Sequence, residues 1–347
     1  MARTQDEGAP NAVRLGRGRS KRRLGPARLR SYFEDTPLGA TIFPTCHDGG
    51  MVEISNPDKV YFPDDGITKE QVVNYYQTVA PVMVDHLVGR PLTLQRFPDG
   101  IGKSGFMQKN ASKHFPDSIE RVEVPKEGGT TNFPLVDNPD DLVYLANQGT
   151  ITFHIWTSRQ PHLDCPDRII LDLDPTEDAE PPRDAALAAR TVFDDIGLDS
   201  GLMTTGSKGY HVVAPIEVDH DYDIVGQMAR ILATVMAVRD PDTLTIEFRK
   251  KKREGRVFVD WLRNRTAQSA VCAWSIRPRK GATVAMPISW DELEGTDPDH
   301  WDIDTAPDRA DDPVIWPDPN ALDVEKVLAL GEDHDVEPEE SFDRFRS

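Results

Sequence analysis

Segments with the period of a β-strand alternate with segments of helical period along most of this 347-residue chain, and no unit repeats at a fixed interval. Because strands and helices interleave in this way, the chain is predicted to fold as an α/β or α+β domain. The strand-like segments lie at 142–146, 151–156, 168–173, 201–205, 210–216, 243–248, 256–261 and 271–276.

The clearest helix is predicted at 69–88. Thr68 is a typical N-cap residue, and Gln71, three residues later, completes a capping box. Apolar residues then recur at helical spacing over 72–87, and a Gly-Arg-Pro sequence stops the run. Further helices are predicted at 183–196, 222–238 and 321–330.

Charge is distributed unevenly along the sequence. Residues 1–30 carry nine Arg or Lys against two acids, whereas residues 291–347 carry twenty acids against four basic residues. This pattern predicts a disordered basic arm at 1–45, a folded domain at 50–331 and an acidic, mobile tail at 332–347.

The net charge of −19 argues at face value against a nucleic-acid partner, because Lys and Arg supply most of the affinity for phosphate. Two readings of the acidity stay open. It is either an adaptation of the surface to a salty cytoplasm or simply an acidic surface that says nothing about the ligand.

Compartment signals predict a cytoplasmic protein without membrane contact. The longest apolar runs fall far short of the roughly 18 residues that suggest a membrane span, and the N-terminal charges precede no apolar signal segment. The three cysteines, Cys46, Cys165 and Cys272, are too widely spaced for a zinc knuckle or a disulfide framework, which fits a reducing compartment.

Two carboxylates end the apolar run 168–175, Arg-Ile-Ile-Leu-Asp-Leu-Asp-Pro. Residues i and i+2 of a strand face the same side, so Asp172 and Asp174 would project together from the end of a strand. Such a pair suits Mg²⁺ or Mn²⁺ and can hold two ions roughly 3.5–4 Å apart for phosphoryl transfer. The alternative is that Asp174 caps a turn at Pro175 and Asp172 is solvated.

A second apolar run, 256–259, ends in Asp260. Placed beside the first run, Asp260 would add a third metal ligand and a group able to activate an attacking hydroxyl. By itself, a carboxylate at the end of a strand is more often a turn residue.

The segment 204–211, Thr-Thr-Gly-Ser-Lys-Gly-Tyr-His, lies between two strand-like runs. Its glycines allow backbone N–H groups to approach an anion, and Lys208 and His211 add phosphate donors. The spacing is not that of a Walker loop, and an isolated turn of this kind is usually only a hairpin.

Basic residues flank Asp260 on both sides, at 249–253 and at Arg277, Arg279 and Lys280. A basic run is usually a solvated loop. In combination with three carboxylates and a glycine-rich anion loop, however, it indicates a two-metal nucleotidyl transferase.

These motifs resemble those of a known family, the polymerase domain of bacterial ligase D and its stand-alone relatives in the archaeo-eukaryotic primase superfamily. The resemblance covers roughly residues 53–331 and implies a catalytic core of mixed and antiparallel sheets flanked by helices. The motifs that carry it, in the family's order, are Asn56-Pro57-Asp58-Lys59-Val60 with Thr68-Lys69, Phe153-His154-Ile155-Trp156, Asp172-Leu173-Asp174-Pro175, Gly206-Ser207-Lys208-Gly209-Tyr210-His211 and Val259-Asp260-Trp261-Leu262-Arg263-Asn264.

The resemblance implies a role for each matching residue. The metal ligands and catalytic residues are Asp172, Asp174 and Asp260, and the nucleotide contacts are His154, Thr205, Lys208, His211, Arg253 and Arg277. Lys59 and Lys69 match the residues that grip a DNA 5′-phosphate, although without the family they would be taken for solvated lysines. Phe106 matches a residue that stacks on a template base. Met107 stands where the family often has a second aromatic residue, and Thr205 where it usually has Ser.

The implied function is template-dependent nucleotidyl transfer that fills gaps at double-strand breaks during non-homologous end joining. NTPs are implied in preference to dNTPs, and Mn²⁺ in preference to Mg²⁺. No Lys-x-Asp-Gly ligase motif occurs in the sequence, so a separate DNA ligase and an end-binding protein are the implied partners, at the nucleoid. Two alternatives remain, a primase that starts strands de novo and a non-catalytic module that bridges DNA ends.

Overall fold

The computed structural model describes residues 53–176, 180 and 182–338. The predicted basic arm at 1–45 and residues 339–347 of the predicted acidic tail lie outside the described residues. The strands of the described part are β1 (Val60–Phe62), β2 (Ile67–Thr68), β3 (Leu92–Arg96), β4 (Phe106–Gln108), β5 (Arg121–Lys126), β6 (Gly129–Pro134), β7 (Thr150–Ile155), β8 (Ser158–Arg159), β9 (His162–Pro166), β10 (Arg168–Asp174), β11 (Gly201–Thr204), β12 (Tyr210–Pro215), β13 (Leu244–Thr245), β14 (Val257–Asp260), β15 (Ala270–Val271) and β16 (Pro287–Ile288). The α-helices are α1 (Lys69–Leu87), α2 (Pro139–Asn147), α3 (Arg183–Ile196), α4 (Tyr222–Arg239) and α5 (Val324–Glu332).

Two sheets form the centre of the fold. The larger has the order β13-β14-β10-β12-β11-β16, in which only β13 and β14 run parallel, and the smaller has the order β15-β7-β3-β4. Alternate residues of β10 face opposite sides. Ile169, Leu171 and Leu173 join the main core on the side of α3 and α4, while Ile170 packs on Ala270 of the smaller sheet. The polar residues at the end of β10 therefore face the space between the two sheets.

Helix α1 confirms the prediction from the capping box. The Thr68 hydroxyl accepts the Gln71 N–H, and the Gln71 side chain accepts the Thr68 N–H, so both orphan donors are satisfied. Tyr76 of α1 packs edge to face on Phe153 of β7, with 5.1 Å between ring centroids. This contact fixes α1 against the smaller sheet.

The strand predicted at 142–146 is wrong, because these residues lie in α2. Asn138 caps the helix by accepting the Asp141 N–H, Pro139 occupies the first turn, and the first turn is acidic. These are helix start signals that outweigh a short apolar run. The strands predicted at 243–248 and 271–276 shorten to two residues each, and the other predicted helices and strands are confirmed within a few residues.

Candidate functional site

The register of the larger sheet brings the three predicted carboxylates together. Asp172 of β10 lies opposite Asp260 of β14 on one side and opposite His211 of β12 on the other. Directly opposed residues share a face of the sheet, as do residues i and i+2 of one strand. Asp260, Asp172 and His211 therefore form a row across the sheet, with Asp174 beside it. Asp260 thus lies beside the first pair, where a third metal ligand would have to be.

Basic side chains contact each of these carboxylates. His211 Nε2 lies 3.4 Å from Asp172 Oδ1, and Arg263 bridges Asp172 and Asp260 at 3.1 and 3.2 Å. Arg253 donates to Asp174 Oδ2 at 2.9 Å and also to the carbonyls of residues 247 and 248. Its guanidinium lies 4.1 Å from the centroid of Phe258. Arg253 thus ties the preceding basic loop to the site.

The pKa values of two opposed carboxyls move in opposite directions. Burial alone would raise the pKa of Asp172, but His211 and Arg263 outweigh it and hold that pKa below its ordinary value. Burial raises the pKa of Asp260 to about 6, against the attraction of Arg263 and with the help of the Asp172 and Asp174 charges. Of these two carboxylates, Asp260 is therefore the one whose negative charge is less well compensated.

The turn between β11 and β12 depends on two glycines. Gly206 has φ +61°, and a Cβ there would lie 2.7 Å from the backbone of Val284. A Cβ at Gly209 would lie 1.8 Å from the carbonyl oxygen of Leu173. Because this turn touches the backbone of β10 between the two aspartates, no larger residue fits at Gly209. The turn therefore holds Lys208 next to the carboxylates.

A cavity of about 200 Å³ joins these elements. Its lining includes most of the residues predicted to hold a nucleotide, namely His154, Thr205, Lys208, His211 and Arg277, together with Asp172 and Asp174. Arg253 contacts Asp174 and does not line the cavity. The Thr205 hydroxyl already has a partner within the turn, since its Oγ1 donates to the carbonyl of Gly209 at 2.9 Å. Thr205 therefore contributes to the cavity mainly through the shape of its side chain and less as a hydroxyl donor.

Two buried nitrogen atoms near the cavity lack a hydrogen-bond partner among the described residues, His154 Nε2 and Arg277 Nε. Burial, with Arg277, Arg263 and His211 nearby, lowers the pKa of His154 to about 3, so its ring is neutral. Arg277 donates to the Thr205 carbonyl at 2.8 Å. Unsatisfied buried polar atoms are costly, and a bound polar ligand would remove that cost.

The donor set fits a hard divalent cation. Three carboxylates supply oxygen ligands of the kind that Mg²⁺ and Mn²⁺ prefer, and two arginines of the described residues contact them. In the described parts of the chain, no three acidic, imidazole or thiol groups already converge as a metal centre. The arginines hold carboxylate oxygens, so a metal would have to draw one or more of these oxygens away from Arg253 or Arg263.

The predicted phosphate lysines lie close together, outside this cavity. Lys69 is buried and donates to the carbonyl and hydroxyl of Ser55 at 2.6 and 2.7 Å. Lys59 donates to the carbonyl of Pro98 and to the carboxylate of Asp99. Burial and the charge of Lys59 lower the pKa of Lys69. The two ammonium groups repel each other, and a bound anion would relieve this repulsion.

Phe106 and Met107, the predicted template contacts, both lie in β4 and are about half exposed. Successive strand residues point to opposite faces, so the two side chains cannot form one continuous stacking surface. Arg96 of β3 lies over the Phe106 ring, 5.5 Å from its centroid. Phe106 is therefore the residue of this pair that has an ordered stacking environment.

Two residues that position the site, Arg263 and Asn264, have no role predicted from the sequence. Arg263 bridges Asp172 and Asp260, and the signal for it was its place three residues after Asp260. The Asn264 side chain accepts the Ile170 N–H and donates to the Ile170 carbonyl, both at 2.7 Å. The Asn264 amide thus makes the two backbone hydrogen bonds that a neighbouring strand would otherwise make with β10 just before Asp172. Only the tertiary structure reveals this role.

None of the helices in the described residues is long and apolar enough to cross a membrane.

The chain is similar to known proteins along most of its length. The sequence model of the LigD primase-polymerase domain matches residues 68–314. The multifunctional non-homologous end joining protein LigD of Mycolicibacterium smegmatis is 32% identical over 275 residues, which cover 77% of this chain and 36% of that protein. LigD of Pseudomonas aeruginosa is 31% identical over 264 residues, covering 75% and 31% respectively. The chain thus spans about a third of the length of these relatives.

Among solved structures, the polymerase domain of Mycobacterium tuberculosis ligase D in complex with DNA superimposes with a TM-score of 0.71 at 32% identity. The match covers 76% of this chain and 95% of that domain. It confirms the predicted mixed α/β architecture. The chain belongs to the LigD primase-polymerase domain family.

Proposed function

We propose that this chain is a template-dependent nucleotidyl transferase that extends a 3′-hydroxyl to fill gaps at DNA double-strand breaks. The observation that carries the proposal is the row of Asp260, Asp172 and His211, with Asp174 beside it, next to a glycine turn that bears Lys208. The relatives are named as non-homologous end joining proteins, and the matching solved domain is bound to DNA. Both descriptions support a role in end joining.

In the proposed reaction, the 3′-oxygen of a primer bonds to the α-phosphorus of an NTP and pyrophosphate leaves, while the hydroxyl proton passes to solvent. Two Mn²⁺ or Mg²⁺ ions held by Asp172, Asp174 and Asp260 would supply the charge neutralisation that this displacement requires. Lys208, Arg277 and the backbone of the glycine turn would bind the triphosphate. The neutral His154 would offer a hydrogen bond to the nucleotide through Nε2.

The DNA end would be held by two further groups. Lys59 and Lys69 would bind the 5′-phosphate of the downstream strand, which would relieve the repulsion between their ammonium groups. Phe106 would stack on a template base, an interaction worth roughly 1–3 kcal/mol. These contacts are local, so a strongly acidic chain would still bind DNA at a defined place.

Primer extension on a gapped duplex with a 5′-phosphate tests the metal site. The Asp172→Ala/Asp174→Ala variant should lose extension with either metal, while the exposed-lysine variant Lys326→Ala should extend like the wild type. Equal extension by wild type and the double alanine variant would refute the assignment. Parallel reactions with NTPs or dNTPs, and with Mn²⁺ or Mg²⁺, measure the expected preference for NTPs and Mn²⁺.

The same assay distinguishes the alternatives. Products on an unprimed single-stranded template would identify a primase. DNA end pairing without any incorporation would identify a bridging module. The full set of three carboxylates at one site favours catalysis over bridging alone.

The Lys59→Ala/Lys69→Ala variant tests the DNA-end site. It should lose the advantage that a downstream 5′-phosphate gives to extension, while extension on a 5′-hydroxyl substrate stays the same. An unchanged preference for the phosphate would contradict the role of both lysines.

We propose a separate DNA ligase and an end-binding protein as partners, acting with this chain on DNA in the cytoplasm. Extension products should be sealed only after a DNA ligase is added. Sealing by this chain alone would contradict that division of labour.

A further inference from the structure

We infer that Asp99 is an internal substitute for the 5′-phosphate of a DNA end. Its carboxylate neutralises Lys59 while the site is empty, competes with the phosphate for this ammonium group and so weakens binding of the DNA end. The inference rests on the proposed function, since it assumes that Lys59 and Lys69 bind the 5′-phosphate. Asp99 itself has no part in the proposed reaction.

The two lysines of this site have different partners. Lys59 Nζ lies 2.5 Å from Asp99 Oδ1 and 2.7 Å from the carbonyl oxygen of Pro98. Lys69 Nζ donates to the carbonyl and hydroxyl oxygens of Ser55, which are uncharged. Of the two, Lys59 is therefore the one that is paired with an anion within the described residues. Asp99 takes one of the three N–H donors that this ammonium group could offer to a phosphate.

The backbone near Asp99 is fixed, whereas its side chain is free to turn. The Ile101 N–H donates to the carbonyl of Tyr61 in β1 at 2.7 Å, which joins the loop to the strand that follows Lys59. The Asp99 side chain is 72% exposed, and its hydrogen bond to Lys59 is the only one that it makes with the described residues. The carboxylate could therefore leave Lys59 for solvent without breaking another contact, and the loop would keep it nearby.

Charge decides which anion can replace the Asp99 carboxylate. The hydrogen bond and the charge of Lys59 hold the pKa of Asp99 below its ordinary value, so the carboxylate is ionised at neutral pH. A terminal phosphate carries a charge of about −1.5 to −2 at this pH and has three strong acceptor oxygens. A phosphodiester inside a DNA strand carries a charge of only about −1. Exchange with the carboxylate therefore favours the terminal phosphate over the rest of the DNA backbone.

The exposure of the ion pair limits the size of the effect. Pairs between exposed side chains contribute little, because water and salt screen them. Removal of the Asp99 charge should therefore strengthen binding of the phosphate about two- to fivefold. In the opposite role, Asp99 would hold Lys59 in place for the phosphate, and the same substitution would weaken binding. The sign of the change thus decides between the two roles.

Fluorescence anisotropy of the full-length chain with two labelled gapped duplexes tests the inference in the absence of metal and nucleotide. The duplexes differ only in a 5′-phosphate or a 5′-hydroxyl on the downstream strand. Asp99→Asn should bind the phosphate duplex about two- to fivefold more tightly than the wild type does, and the hydroxyl duplex equally well. Asp64→Asn is the matched control, because Asp64 is exposed in the turn between β1 and β2 and forms no ion pair within the described residues. This control should bind both duplexes like the wild type.

A double-mutant cycle shows whether Asp99 acts through Lys59. In the Lys59→Ala background, Asp99→Asn should leave binding of the phosphate duplex unchanged. A gain in affinity that persists in that background, or that Asp64→Asn reproduces, would reveal a general effect of charge and overturn the inference. Unchanged or weaker binding by Asp99→Asn alone would also overturn it, while the proposed DNA-end site would stand. Equal binding of the two duplexes by the wild type would overturn both the inference and the roles proposed for the two lysines.

Discussion

Each end of β10 lies in a cluster of carboxylates and basic side chains, but the ratio of carboxylates to arginines differs between the two clusters. At its start, Asp167 accepts from three arginines: Arg90 at 2.6 and 2.9 Å, Arg159 at 2.7 Å and Arg168 at 2.9 Å. At its end, three carboxylates are contacted by two arginines and one histidine. At the first cluster three arginines surround one carboxylate, whereas at the second the carboxylates outnumber the arginines that contact them.

The two clusters also differ in how they are packed. Arg90 is fully buried, and Arg168 lies under the ring of Trp316, 5.6 Å from its centroid. The cluster around Asp167 therefore joins the turn before β3, strand β8 and the start of β10 as a closed structural link. At the other end, Asp172 and Asp174 line a cavity, so their carboxylate oxygens are accessible to a cation. An ion pair network thus indicates function only when its charge is unbalanced and a ligand can reach it.

The largest expected effect comes from breaking the closed link. Asp167→Asn leaves three guanidinium groups without a carboxylate and should reduce the free energy of unfolding by about 3–5 kcal/mol, measured by urea denaturation. Asp174→Asn is the matched control. Its side chain is 45% exposed, so its effect should stay below about 1 kcal/mol. Similar losses in the two variants would remove the distinction between the clusters.

The second largest expected effect is that of metal binding, which should involve the carboxylates at the end of β10 and not the cluster around Asp167. Mn²⁺ at about 100 times its dissociation constant should raise the free energy of unfolding by about 2.7 kcal/mol, because it binds only the folded chain. Thermal unfolding with and without Mn²⁺ measures the shift. Asp172→Asn should lose it and Arg159→Gln should retain it. A shift that survives Asp172→Asn would place the metal elsewhere.

The pH dependence should have opposite signs at the two ends. Arg168, Arg90 and Arg159 outweigh burial and hold the pKa of Asp167 below its ordinary value of 3.8. The ionised Asp167 carboxylate therefore stabilises the fold above this pH, and the stabilisation is lost as the pH falls. The pKa of Asp260 is raised to about 6, so its protonated form stabilises the fold at low pH, and this stability is lost as the pH rises from about 4 to 6.

Metal-free urea titrations across pH 4 to 7 measure this difference. Relative to the wild type, Asp260→Asn should gain about 1–3 kcal/mol over that range. The deficit of Asp167→Asn should shrink only below about pH 4. A parallel pH response of the two variants would show that the carboxyls do not differ as described.

The smallest effect is expected for Arg159→Gln. Its side chain is 38% exposed, and Arg90 and Arg168 still hold Asp167 in this variant. The free energy of unfolding should fall by less than about 1 kcal/mol, as for a surface ion pair. A loss as large as that of Asp167→Asn would show that all three arginines are needed together.

Short sequence signals correctly predicted those helices and strands whose bounds are set by residues next to them in the chain. The capping box at Thr68 and Gln71 determined where α1 begins, and the apolar run before Asp172 determined β10. The strand predicted at 142–146 is wrong, because the Asn-Pro cap just before these residues starts a helix and outweighs the short apolar run. The resemblance to the ligase D polymerase domain was correct, because its motifs are short, ordered and local.

The sequence by itself determined which residues carry charge and which face of each strand they occupy, since both follow from residue type and a period of two. Only the tertiary structure decided which charges meet. Strand register placed Asp260 opposite Asp172, and chain folding brought Arg90, Arg159 and Asp167 together from positions up to 77 residues apart. Pairing between strands and contacts between sheets depend on packing across the whole domain, and no local pattern encodes them.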